Sequence, residues 1–176
     1  MLSGAMLHPL DESVRVSQST AETSRQTMAQ THDIELADAK KTHGVYSHSL
    51  HAQPTDTDEL GHVSNLVYLH WVQDMAKRAS AARGLDLEAY RTLGAVFVVR
   101  RHEIEYYRQV LPGDELELHT WIASWGAATS LRETRIFQAE TRELVCTATT
   151  RWAFIDLHSG RPKRIPESVR KAFVDG

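Results

Sequence analysis

Cysteine is almost missing: Cys146 is the only one in 176 residues. A disulfide framework is therefore excluded, and the fold has to stand on its apolar core. A reducing compartment suits such a chain, and a cytoplasmic location is the expectation. No run of about 18 apolar residues occurs, so no membrane-spanning helix is predicted. An excess of charge of one sign is absent too. Twenty Lys and Arg stand against 23 Asp and Glu, a formal net charge of −3, which removes the global electrostatic case for binding nucleic acid. What remains, 41% hydrophobic and 24% charged residues, is the composition of an ordinary globular chain with room for one domain.

The first forty residues differ from the rest. Residues 3–31 are rich in Ser, Thr, Gln and Ala, almost devoid of aromatics, and show no period of 2 or 3.6. Such a stretch buries too little apolar surface to offset its ordering entropy. Asp11 and Glu12 break the apolar start that a secretory signal needs, and with Glu22 they also count against a mitochondrial presequence. Residues 33–41 are predicted as a short helix, with Asp33 near its cap and Lys40 and Lys41 in its last turn. Residues 1–42 are read as a flexible or loosely docked extension, and residues 43–176 as the folded domain.

After Gly44 the patterning sharpens. Residues 45–53 alternate as a strand does, with Tyr46, His48, Leu50 and Ala52 on one face. A polar loop follows. Residues 65–83 then read as a long helix with an apolar stripe of Leu66, Leu69, Val72, Ala76 and Ala79, flanked by Tyr68, Trp71 and Met75. This width predicts burial over most of the circumference. Gly84, preceded by Lys77, Arg78 and Arg83, closes the helix as its C′ residue. A short helical turn runs from Asp86 toward Gly94. Four strands follow at residues 95–109, 114–124, 129–138 and 144–156, joined by short turns such as Pro112-Gly113. On the last, Leu144, Cys146, Ala148, Trp152 and Phe154 share one face. A short helix after Pro166 ends the chain. Strand, long helix and four strands predict an α+β domain, a five-stranded antiparallel sheet packed on one helix.

The chemistry concentrates in the loop before the long helix: Asp56, Asp58, Glu59, Gly61, His62 and Asn65 within ten positions. The first N–H groups of a helix lack intrahelical partners, and its dipole favours negative charge there. A carbonyl oxygen placed on such an amide is polarised, and an oxyanion forming there is stabilised. A carboxylate just upstream can serve as base or nucleophile. The competing reading is that Asp56 and Asp58 only cap and tighten the loop.

The stretch Asp56-x-Asp58-x-x-Gly61-His62-Val63-x-Asn65-x-x-Tyr68 resembles the signature of the hot-dog-fold acyl-CoA thioesterases of the 4-hydroxybenzoyl-CoA thioesterase type. Supporting similarity runs through Val98-Val99-Arg100-Arg101-x-x-Ile104-x-Tyr106, Pro112-Gly113-Asp114, Thr149-x-x-Trp152-x-x-Ile155-Asp156 and Gly160-Arg161-Pro162-x-Arg164-Ile165-Pro166. The resemblance implies a hot-dog fold, the sheet wrapping around the central helix, and hydrolysis of an acyl thioester to acid and CoA. It implies Asp58 as catalytic carboxylate, nucleophile or base for water, and the Asn65 backbone amide as the group polarising the carbonyl. One branch of the family carries histidine at the position of Asn65, so the proton-transfer role suggested there has no side chain to carry it here. Many relatives have Asn-Asn where this chain has Ser64-Asn65. His62 is a further catalytic candidate, and Gly61, Tyr68, Trp71 and Arg161 are candidate substrate contacts. Homodimers or homotetramers with the pocket between subunits are implied, which would also cover an unpaired edge strand.

Other constellations give less. His48 and His51 lie three apart on a strand and face opposite sides, so they cannot chelate one ion. Asp56, Asp58 and His62 offer a metal few ligands and no second set, so none is expected. Cys146 reads as a core thiol. Glu103 and Glu105 share a strand face, and Arg161, Lys163 and Arg164 form a basic tail that either meets CoA phosphates or is solvated. No redox cofactor is needed for thioester hydrolysis. A hot-dog hydratase is disfavoured because its Asp-x-Asn-Pro-x-His arrangement is missing. The alternatives carried forward are a thioesterase acting on acyl carrier protein and a non-catalytic acyl-CoA-binding module.

Overall fold

The computed structural model describes residues 27, 30, 36–39 and 44–174. The rest of the 1–42 extension lies outside the described residues. Of the helix expected at 33–41, residues 36–39 are helical. The chain divides into two units between Leu36 and Ala37, and the second carries everything below.

Strand β1 (Tyr46–His51) leads through a 3-10 turn (Pro54–Asp56) into helix α1 (Asn65–Ala81) and the short helix α2 (Leu87–Thr92). Strands β2 (Ala95–Tyr106), β3 (Glu115–Trp125), β4 (Thr129–Gln138) and β5 (Leu144–Asp156) follow, and α3 (Glu167–Val174) closes the described chain. The strands form one antiparallel sheet in the order β1-β3-β4-β5-β2. This is the expected hot-dog arrangement. Register shifts at Val99/Arg101, Ile122/Ser124 and Ile136/Phe137 bend the ladder, as bulges do when a sheet has to curl round a helix.

The buried side chains of α1 are Tyr68, Trp71, Val72, Met75, Ala76 and Ala79, an i, i+3, i+4 stripe. The expected stripe beginning at Leu66 and Leu69 is displaced. Leu66 is 76% exposed and Leu69 half-buried. The sheet covers one side of the helix only, so burial over most of the circumference does not occur. Tyr68, Trp71 and Met75 pack with Leu116, Leu118, Ile136, Val145 and Cys146 into one cluster. The bulge at Ile136/Phe137 puts Val145 there in place of Leu144, which is buried outside it. A second cluster joins α2, α3 and the far end of the sheet through Tyr90, Ala95, Ile122, Phe154, Val169 and Phe173.

Helix α1 runs to Ala81, two residues short of the expected end. Leu85 donates to the Ser80 carbonyl and Gly84 to that of Ala81, with Gly84 at φ 70°. That bond pair is the Schellman motif with glycine at C′, so the expected stop signal acts as read. Strand β2 ends at Tyr106 instead of 109, because Tyr107 and Arg108 both donate to the Val145 carbonyl and leave the ladder.

Candidate active site

The loop between β1 and α1 is a narrow two-stranded neck. The Asp56 carboxylate accepts the Gln53 amide at 2.8 Å, and its carbonyl accepts the Ser64 amide at 2.9 Å. Asp56 thus ties the loop entrance to the helix start. Thr57 bridges Val63, whose N–H donates to the Val110 carbonyl at 2.9 Å. At the tip, Asp58 N–H donates to the His62 carbonyl at 2.8 Å and Gly61 N–H to the Asp58 carbonyl at 3.0 Å. Gly61 sits at φ 78°, the left-handed region that glycine enters without strain.

Asp58 is exposed, and His62, across the neck from it, is half-buried. The Leu60 amide donates to Asp58 Oδ1 at 2.9 Å, an Asx turn that fixes the carboxylate. Its Oδ2 has no protein donor among the described residues. Thr57, Asp58, Glu59 and Leu60 border an open depression. Glu59 is exposed beside Asp58.

Ser64 is the N-cap of α1, its hydroxyl accepting the Leu66 amide at 3.4 Å. Capping is the physical use of this serine. Asn65 is the first helical residue, and its backbone N–H has no acceptor among the described residues. An oxygen arriving there meets an unspent donor at the positive end of a 17-residue helix. The Tyr106 hydroxyl donates to the Asn65 carbonyl at 3.4 Å, pinning the end of β2 to the helix start.

The other sequence candidates lie apart. Tyr68 and Trp71 are buried in the core, their rings edge-on at 5.2 Å, and neither borders the Asp58 depression. Arg161 is exposed beyond the end of β5, where Asp156 donates to the Arg161 carbonyl and Leu157 to that of Gly94. Within one chain, Arg161 therefore neighbours the start of β2 and Asp58 its end. Lys163 is engaged by Asp156 at 3.1 Å and the Leu93 carbonyl at 3.4 Å. Hydrogen bonding, first from the Ser159 backbone and then from Lys163, holds the Asp156 carboxyl well below the usual carboxylate range. Glu103 pairs with Arg101 at 2.9 Å, Glu105 accepts from the Tyr107 hydroxyl, and neither lines the depression beside Asp58. Burial pushes the Cys146 thiol up to about 12. Asp56, Asp58 and His62 do not converge as a donor set among the described residues. No helix among those residues is long and apolar enough to cross a membrane.

Sequence reading missed a deep, half-open cavity of about 460 Å³ bordered by the second half of α1, α2 and the inner sheet face. Phe97, Val99, Trp125, Trp152 and Phe173 form walls, and Arg132 reaches in from β4. On α1 its lining begins at Gln73, roughly 12 Å from Asn65 at helical rise, and runs to Ala81.

Comparison with known proteins gives a consistent set of similarities. The profile of the thioesterase-like superfamily matches residues 52–173. An acyl-[acyl-carrier-protein] hydrolase from Cuphea viscosissima chloroplasts is 30% identical over 79 residues, 45% of this chain and 19% of that protein. An oleoyl-acyl carrier protein thioesterase of Arabidopsis thaliana is 27% identical over 84 residues, 48% and 23% respectively. The match to these curated relatives thus spans about a fifth of their length. Among solved structures, the 1,4-dihydroxy-2-naphthoyl-CoA thioesterase of Synechocystis superimposes with a TM-score of 0.69 at 21% identity, covering 74% of this chain and 96% of that one. A Staphylococcus aureus protein solved in complex with CoA gives 0.69 at 17% identity, covering 74% and 82%.

Proposed function

The chain belongs to the thioesterase-like superfamily, and from that premise we propose that it hydrolyses an acyl thioester to a free acid and a thiol, with Asp58 as the reacting carboxylate. One observation carries the reading: an exposed carboxylate with an unpartnered oxygen is fixed at the tip of a loop that ends in a free helix N–H. Attack at the carbonyl carbon, by Asp58 itself or by water it deprotonates, puts negative charge on the carbonyl oxygen. The Asn65 amide and the helix dipole stabilise that oxyanion. Its collapse breaks the C–S bond, and the thiolate leaves and takes up a proton. Water completes the acid, directly or by hydrolysing the acyl-Asp58 anhydride. His62 stands across the neck as a second polar group, Gly61 lets the loop turn, and Asp56 holds it. Residues 1–42 are the extension and residues 43–176 the catalytic domain in this reading.

A second copy completes the site. Strand β2 pairs with β5 on one side and, among the described residues, with no strand on the other. An exposed strand edge of this length is normally covered. Two-fold antiparallel pairing with its own copy sets the Ala95 end of one β2 beside the Tyr106 end of the other. The Asp58 loop of one protomer then faces Arg161 and the deep cavity of its partner. Leu60 and Leu66, 78% and 76% exposed beside the loop, suit the same contact. The acyl group enters the cavity, and Arg161 stands at the end where the carrier's phosphates approach. A dimer satisfies this geometry, and a tetramer adds a second contact. The lone buried thiol fits a cytoplasmic location.

The substrate is an acyl-CoA; the alternative, an acyl carrier protein thioester, is supported by what the curated relatives are named for. The test is thiol release by the full chain from acyl-CoAs and from acyl carrier protein thioesters of matched chain length. The reading expects saturable release from one or both. Release from neither above the rate in water would overturn it.

A further inference from the structure

The deep cavity is apolar over most of its wall yet holds a guanidinium. Arg132 is 4% exposed, on the inner face of β4 opposite Ile122. Among the described residues, one of its five N–H donors has a protein acceptor, the Thr120 hydroxyl at 3.3 Å. No carboxylate pairs with it among the described residues. Its electrostatic neighbours are the Tyr90 hydroxyl and a second cation, Arg83. Both guanidiniums stack on Phe173, at 5.4 and 5.3 Å. Burial, which penalises the charged form, pulls Arg132 down to about 10, so it is still charged at neutral pH. A single neutral hydrogen bond and an aromatic face offset little of what desolvating an unpaired cation costs. Trp152 lines the same cavity with its indole Nε1 buried and without a partner among the described residues. Buried donors in such a state are normally satisfied by something.

We propose that this cavity binds an apolar chain ending in a carboxylate, with Arg132 receiving the carboxylate and Trp152 its second donor. The apolar walls take the chain and the buried cation selects the end. The size suits a small molecule, since ligand pockets usually span about 300–1,000 Å³. Two sources supply the same chemistry: the far end of a carboxylated acyl group, or a free fatty acid. The first rests on the thioesterase reading, with the thioester end presented to the partner's Asp58 loop. The second does not.

Binding is measured on the full-length protein by calorimetry and by emission of the cavity tryptophans, Trp125 and Trp152, with octanoate and with 1-octanol. Octanoate is expected to bind saturably and at least about tenfold more tightly than the alcohol, a charge-assisted bond being the difference. Arg132→Met, which keeps the side chain's length, is expected to remove that preference. Equal affinity for acid and alcohol, or no saturable binding of octanoate, overturns the proposal. The wild-type comparison decides even if the variant does not fold. Turnover of suberyl-CoA and octanoyl-CoA by R132M then separates the sources. A loss confined to suberyl-CoA assigns the carboxylate to the substrate. Unchanged turnover of both, with octanoate binding lost, assigns it to a free acid. Binding is read without product formation, so failure of the hydrolase reading and failure of this one are independent results.

Discussion

Gly61 shows how narrow the demands on one position can be. A Cβ there would meet nothing within 4 Å, so space is not the constraint. The backbone is, at φ 78°. Gly61→Ala is expected to cost roughly 1–2 kcal/mol and to lower turnover, because the Gly61 amide closes the turn on the Asp58 carbonyl. Thermal melting and steady-state kinetics check the two parts separately. Cys146 makes the opposite case, a reactive side chain silenced by burial. A thiol reagent is expected to leave the native protein unlabelled at neutral pH and to label it fully once unfolded. His102 titrates against the fold. Its Nδ1 lies 3.0 Å from the Thr150 hydroxyl, its Nε2 is buried without a partner among the described residues, and burial lowers its pKa. Lowering favours the neutral ring in the fold, so its contribution is present above the unfolded value of about 6.5 and is lost progressively as pH falls from there through the lower folded value. Melting temperatures between about pH 7 and 5.5 are expected to fall less in His102→Gln than in the wild type.

At the scale of elements, α1 is the test of how far periodicity can be read. Stripes starting at Leu66 and at Tyr68 both fit a 3.6-residue period, and only the sheet decides between them. Met75→Ala is expected to cost about 2–5 kcal/mol, as for other buried large-to-small changes. Leu66→Ser should stay within about 0.5 kcal/mol in the isolated fold; urea denaturation of both variants measures the contrast. The stop at Gly84 and the loop from Asp56 to Asn65 were legible because each is fixed locally, by a bond pair or a short spacing. Arg132 was not. Its strand is mostly polar, with only Leu131, Ile136 and Phe137 apolar and no alternation, so it does not mark which parity faces the helix. The pairing Ile122↔Arg132 turns Arg132, Thr134 and Ile136 inward together, a long-range fact that β4 does not contain. Leu144 is buried as its strand face implies, but a bulge puts Val145 in its place in the cluster under α1.

For the whole molecule, the account joins two ends of one chain through a second copy. Asp58 lies by the end of β2, and Arg161 and the cavity lie by its start, so a single protomer holds the parts apart. Light scattering at micromolar concentration is expected to give two or four times the 19.9 kDa of the chain. A stable monomer would remove the shared site while leaving the fold untouched. Sequence resemblance pointed to both ends without showing their separation, because linear spacing says nothing of which strand end a residue neighbours.

The central claim, that Asp58 does the chemistry, is tested most directly by thioester turnover of Asp58→Asn beside Asp56→Asn, with circular dichroism and melting temperature confirming that both fold. Asp58→Asn keeps the Asx turn through its side-chain carbonyl but loses charge and basicity. Turnover is predicted to fall at least about 10²-fold with substrate binding retained, the lower end for losing a positioned acid–base group. Asp56→Asn, whose carboxylate is spent on the Gln53 amide, is predicted to lose stability more than rate. Near-normal turnover by folded Asp58→Asn would contradict the account and move the search to Glu59 and His62.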